Sequence, residues 1–257
     1  MSYKALNVQK KQNIIVIQII DCGNDQAKLI QLFNELEELY SQIVWDEDVW
    51  GVVITGDRKE AFCFGIDFTD AASRRNGGER IRFSSICEPI ARLDRPVIAA
   101  IPGDAIEQGL ELALTCDLRI ATDESHFGLP QIKSGFLPWD GGTQRLARLV
   151  GRGKALEMIL TGEIINAQEA YRIGLIHKVV PPKELMEGAM NVAQEMASKG
   201  PIALRYAKEA IYKGMDLTLE QGLRLEADLY LLIHTTKDRT EGIQAFREKR
   251  PPRFEGK

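Results

Sequence analysis

Residues 13–20 (NIIVIQII) and 50–55 (WGVVIT) are near-continuous runs of aliphatic, mostly β-branched residues. Between them Leu29, Leu32, Phe33, Leu36 and Tyr40 recur at helical spacing. A strand that is apolar at almost every position, and not at every second one, has to be covered on both faces. Strand, helix and strand in that order make the unit from which parallel sheets are built. These two runs therefore direct the chain to an α/β fold with a buried sheet, and 257 residues suffice for a large core.

The alternation continues in shorter pieces. Residues 59–67 read as a loop and 71–80 as a polar, solvated loop, with a helical pattern over 81–93. Pro96 opens a strand over 97–101, a helix follows over 109–115, a strand over 118–121, and extended turns over 127–135. Strands and helices this short suggest a coiled succession of βα turns. Beyond Gly142 the pattern is almost wholly helical, with segments over 143–150, 154–160, 167–172, 183–198, 202–213, 218–233 and 238–248, and only 178–180 extended. In the segment 218–233, Leu219, Leu223, Ala227 and Leu231 form one stripe and Leu225, Leu229 and Leu232 a second. Two apolar faces imply contact on two sides, either within the chain or with another subunit.

The hydrophobic share of 44% and the charged share of 27% are ordinary for a globular protein, and a net charge of −4 offers no global field for nucleic acid or anionic membrane. Cys22, Cys63, Cys87 and Cys116 are widely spread and form no CxxC, the pattern of buried thiols in a reducing compartment. With no secretory pattern at the start and no apolar run of membrane-span length, a cytoplasmic protein is expected. GxSxG, GxxxxGK[ST] and HExxH are all absent, so neither a nucleophile elbow, a phosphate loop nor that metal site is encoded. His126, His177 and His234 stand far apart; His177 and His234 read as structural, whereas His126, which leads into the stretch around Asp140, fits a structural or a functional role equally.

What remains are carboxylates in apolar, glycine-bordered settings. Glu111 sits on the short helix EQGLELAL, directly after a buried strand. A carboxylate there is poorly solvated, which raises its pKa and suits it to proton transfer near neutral pH; Glu107 reads as the charge on the helix's wet side. Asp140, between Trp139 and two glycines, stands where a new helix begins, and fits either an N-cap or a catalytic group.

The segments AFCFGIDF (61–68), RPVIAAIPG (95–103), GLELALTCD (109–117) and PWDGGTQRL (138–146) together resemble the crotonase (enoyl-CoA hydratase/isomerase) superfamily. The likeness extends through LTG (160–162), residues 170–180 and AFREKRP (245–251) in one order, so it spans nearly the whole chain. It implies an α/β fold built as a right-handed ββα spiral (residues 1–195, with the active site). A C-terminal helical trimerisation region follows (residues 196–257), giving a homotrimer or a dimer of trimers. It also implies an acyl-CoA thioester substrate, with coenzyme A entering as part of the substrate and no separate cofactor or metal. Neither nucleic acid nor membrane is expected as a partner.

Matched by position, the resemblance puts the two backbone N–H groups that polarise the thioester carbonyl on Ile66 and Gln108. Gln108 stands in the middle of what the family writes as three glycines, here Glu107, Gln108 and Gly109. Fixed donors of this kind stabilise a developing oxyanion by several kcal/mol. Glu111 matches the first of the family's two hydratase glutamates, and Gln131 occupies the position of the second. An amide neither takes nor gives a proton at neutral pH, so Asp140, where many hydratases carry a small residue, is the candidate for the second acid/base or water-orienting role. Phe64, Asp67, Gln131 and Trp139 are expected to contact substrate. Arg58, Lys59, Lys249 and Arg250 are candidate contacts for the CoA phosphates.

The expected reaction is hydration, or double-bond isomerisation, of an α,β-unsaturated acyl-CoA. Asp140 and the altered glycine run also resemble β-diketone hydrolases, which makes C–C bond hydrolysis the alternative, although those enzymes carry histidine where this chain has Gln131. A non-catalytic thioester-binding member of the family is the third reading.

Overall fold

The computed structural model describes residues 3–20, 26–57, 61–63 and 85–257. The first long run is strand β2 (Ile14–Ile19), paired antiparallel with β1 (Leu6–Lys11) through a tight turn in which Gln12 takes a φ of 56°. Helix α1 (Gln26–Trp45) returns the chain so that β3 (Gly51–Gly56) lies parallel to β2, with Val16 opposite Val53. Strands β5 (Val97–Ile101), β7 (Leu118–Thr122) and β10 (Lys178–Val180) extend this parallel arrangement into a six-stranded sheet of order β1-β2-β3-β5-β7-β10.

After β3, β5 and β7 the chain steps each time into a second sheet, through β4 (Ala61–Cys63), β6 (Asp104–Ile106) and β8 (His126–Gly128). With β9 (Ile164–Asn166) they form a four-stranded sheet of order β4-β6-β8-β9. This regular stepping between two mixed sheets is the coiled βα succession expected from the pattern. The expected loop over 59–67 falls mostly, and that over 71–80 wholly, outside the described residues; of the helical pattern over 81–93, α2 (Glu88–Ala91) lies inside them.

Both faces of the large sheet are covered, as its apolar runs demand. Ile14, Val16, Val53, Ile98 and Ile120 point to α7 (Leu185–Ala197), whose Leu185, Ala189 and Ala193 complete that layer. Their strand neighbours Ile15, Ile17, Val52, Ile54 and Ala99 point the other way, into the larger core with Leu29, Leu32 and Leu36 of α1. Helix α7 thus runs across the expected boundary at 195.

The central helix α3 (Gln108–Thr115) connects β6 to β7. The expected extended turns over 127–135 are instead β8 and a 3₁₀ turn (Pro130–Ser134): Pro130 presets helical φ and Gly135, at φ 75°, closes the turn. Helices α4 (Gly142–Val150), α5 (Arg152–Thr161) and α6 (Ala167–Arg172) follow. The chain finishes with α8 (Pro201–Gly214), α9 (Leu219–Ile233) and α10 (Lys237–Glu248). Among the described residues, no helix is long and apolar enough to cross a membrane.

Candidate active site

Helix α3 is buried along its whole length and enters by an unusual door. Its N-cap, Glu107, holds φ 54° and ψ −125°, a conformation that costs a non-glycine residue on the order of 1–3 kcal/mol and persists only where the surroundings fix it. Its N–H donates to the Gly128 carbonyl at 2.9 Å. Two residues on, a Cβ at Gly109 would lie 2.2 Å from the Cys63 carbonyl oxygen, so only glycine lets the first turn of α3 rest on β4.

Glu111, one turn further along α3, is completely buried. Its Oε1 accepts hydrogen bonds from the backbone N–H groups of Asp140 and Gly142, both at 2.8 Å, and its Oε2 is buried with no partner among the described residues. Burial pushes its pKa up to about 7, against the lowering effect of the Gly142 N–H; the negative charge of Asp140 raises it further. The result is a carboxyl group anchored by one oxygen and bare at the other.

Asp140 does not cap α4. That position belongs to Gly141 at φ 105°, which makes no side-chain cap, and the Asp140 carboxylate turns inward instead. Its Oδ1 accepts from the Ser85 hydroxyl at 2.5 Å, and its Oδ2 accepts from the Cys87 N–H at 3.3 Å and from Gln108 Nε2 at 3.0 Å. The helix-entrance chemistry was legible, but a freer set of donors across the fold outcompetes the cap. Arg145 closes the turn by donating to the Asp140 carbonyl at 2.9 Å.

Gln108 is buried, with its amide oxygen unpartnered among the described residues, and the same holds for Gln131 on the 3₁₀ turn. Trp139 is half-buried against the main core. Ile66, Phe64 and Asp67 lie outside the described residues, as do Arg58 and Lys59. The structure thus brings Glu111, Asp140 and Gln108 together. Arg250 is committed elsewhere, to Glu241 at 2.6 and 2.9 Å and to Glu248 at 2.6 Å, and Lys249 ends α10 at φ 55°.

Two residues absent from the sequence-level candidates belong to the site: Ser85 and Cys87. Ser85 stands three positions before Glu88 and accepts its N–H at 3.0 Å, a helix-start pattern readable from sequence. Nothing local signals its second bond, to a residue 55 positions away. The histidines take structural places: His177 Nδ1 accepts the Arg119 N–H, His126 pairs with Asp104 at the surface, and His234 meets the Tyr230 ring edge-on. Among the described residues, no cluster of His, Cys, Asp and Glu could hold a metal ion.

The sequence model of the family described as enoyl-CoA hydratase/isomerase matches residues 9–257. YngF of Bacillus subtilis, whose enoyl-CoA hydratase/isomerase name is provisional, is 43% identical over 250 residues, covering 96% of each chain. The crotonyl-CoA hydratase of Syntrophomonas wolfei is 35% identical over 263 residues, covering 99% of each chain. Among solved structures, an enoyl-CoA hydratase from Bacillus anthracis superposes with a TM-score of 0.91 at 40% identity, covering 99% of this chain and all of its own.

Proposed function

From the premise that the chain belongs to the enoyl-CoA hydratase/isomerase family, we propose that it hydrates an α,β-unsaturated acyl-CoA with Glu111 as the proton carrier. The observation that carries this reading is the state of Glu111: one oxygen held by two N–H groups, the other buried and bare, and a pKa of about 7. As carboxylate, Glu111 takes a proton from water while the hydroxide oxygen bonds to Cβ of the enoyl group. The π electrons move towards the thioester oxygen, which the N–H groups of Ile66 and Gln108 receive. The enolate then returns, Cα takes the proton back from Glu111, and the carboxylate is restored. One water is consumed and its two parts end on adjacent carbons.

Only one proton carrier is needed for that sequence, which agrees with an amide at Gln131. Gln131 offers a buried acceptor oxygen to the water, and Asp140, whose backbone N–H holds Glu111, orients the pair. Phe64, Asp67 and Trp139 line the acyl group in this reading. A single carrier also serves double-bond isomerisation, in which Glu111 moves one proton between two carbons of the substrate. Curated relatives named as crotonyl-CoA and short-chain-enoyl-CoA hydratases favour hydration over C–C hydrolysis and over thioester binding without catalysis.

Incubation with crotonyl-CoA is expected to bleach the conjugated thioester and yield the 3-hydroxyacyl-CoA. A shifted double bond, or ring opening of a cyclic diketone with no action on any enoyl-CoA, would replace this reading. The C-terminal region 196–257 is proposed to build a homotrimer or dimer of trimers, supported by exposed Leu219, Leu223, Leu231 and Phe246. The buried thiols Cys63, Cys87 and Cys116 support a cytoplasmic setting.

A further inference from the structure

Asp140 touches both halves of the proposed chemistry, by different parts of itself. Its main-chain N–H holds Glu111 Oε1, and its carboxylate holds the side-chain amide of Gln108. Gln108 and Glu111 are one turn apart on α3, so they share a face of that helix. The carboxylate's three partners, the Ser85 hydroxyl, the Cys87 N–H and Gln108 Nε2, are all donors and arrive from two separate segments of the chain. A carboxylate so surrounded acts as an acceptor.

Gln108 is the first residue of α3, where helix geometry gives the N–H no partner, and it follows Glu107 in its positive-φ conformation. A strained entry needs an external hold. The Gln108 amide supplies one: with Nε2 committed to Asp140, the residue cannot turn about its own backbone without breaking a buried, charge-assisted bond. The side chains at 108 and 140 thus form a buried, hydrogen-bonded pair.

We propose that Asp140 is a positioning residue, not a proton carrier: through the Gln108 side chain it locks the Gln108 N–H in register with the Glu111 carboxylate. This rests on the reading that the Gln108 N–H polarises a thioester carbonyl.

The test is a double-mutant cycle of Asp140→Asn and Gln108→Ala with two readouts. The first is hydration of crotonyl-CoA across a pH series. The second is the red shift of a bound cinnamoyl-CoA, whose absorbance reports carbonyl polarisation without turnover. Asp140→Asn is expected to lower kcat about 100-fold, the scale of losing one oxyanion donor, with KM changed less than about 3-fold and the red shift diminished. In the Gln108→Ala background the same change is expected to cost less than about 10-fold, and the Glu111 limb of the pH profile persists throughout.

An equal cost in both backgrounds, a limb lost from the profile on Asp140→Asn, or an undiminished red shift would overturn the proposal. Should Asp140→Asn fold poorly, Gln108→Ala alone decides, since it leaves Asp140 two donors: its red shift must fall. If the wild-type protein shifts cinnamoyl-CoA in an Asp140-dependent way yet hydrates nothing, the hydration reading fails and the lock stands. No shift in a wild-type protein that does hydrate crotonyl-CoA removes the lock alone.

Discussion

The first turn of α3 and the C-terminal helix α9 are opposite solutions to residues placed against their ordinary preference. Around α3 polar side chains are buried, and the fold supplies partners for Glu111 Oε1, held by two N–H groups, and for the carboxylate of Asp140, which reaches in from the start of α4 to three donors. In α9 one apolar stripe is served, with Leu229 buried and the helix packed along α8, while Leu219, Leu223 and Leu231 stay open to solvent. A site can tolerate buried charge because satisfaction comes from within the chain. The apolar stripe of Leu219, Leu223 and Leu231, 56–80% exposed, has no such cover within the described residues.

The largest effect that would sharpen this contrast is expected from Glu111→Gln, which keeps the shape of the side chain and removes its proton. Turnover should fall about 10²–10⁴-fold with acyl-CoA binding retained, measured by steady-state kinetics and ligand titration. Near-normal turnover would remove Glu111 from the chemistry.

Next is the pH dependence of stability. The native Glu111 pKa of about 7 lies above the ordinary 4.5, so the folded protein keeps a proton that the unfolded chain releases. Its contribution is fully present below about pH 4.5 and is lost as the pH rises through 7, a penalty on the order of 3 kcal/mol at about 1.4 kcal/mol per pKa unit. Denaturant titrations from pH 5 to 8 should show this decline in the wild type and its absence in Glu111→Gln. A parallel decline in the variant would assign it to other groups.

Gly109→Ala drives a methyl group into the Cys63 carbonyl and should cost about 1–3 kcal/mol with loss of activity, read by thermal unfolding. Against it stands Leu223→Lys with Leu231→Lys, which should leave the subunit folded and lower the mass in solution to that of a smaller assembly. If the mass is unchanged, the open stripe of α9 is not an interface. The smallest effect is expected from Thr218→Ala, which removes the reciprocal cap of α9 with Gln221 and should cost about 1 kcal/mol with no change in kinetics.

Much of the frame was legible because burial on both faces leaves no alternation to misread: β2 and β3 announce themselves as unbroken apolar runs. Strands β4, β6 and β9, of three residues each, carry too few positions to show a period. In the site, Glu111 stood out as a charge on an apolar helix, a local contradiction that sequence displays. The role of Asp140 was only half legible. A carboxylate beside two glycines signals a helix start, whereas its actual partners, Ser85, Cys87 and Gln108, are brought to it by the path of the chain between the two sheets. The expected N–H of Ile66 lies outside the described residues.

The single bare oxygen of Glu111 has a consequence for direction. Burial raises its pKa to about 7, which puts both protonation states within reach near neutrality. In the proposed reaction the form lacking the proton begins with the olefin, and the form carrying it with the alcohol. On that proposal one carboxyl group serves both directions, and the relative amounts of the two thioesters decide which of them runs.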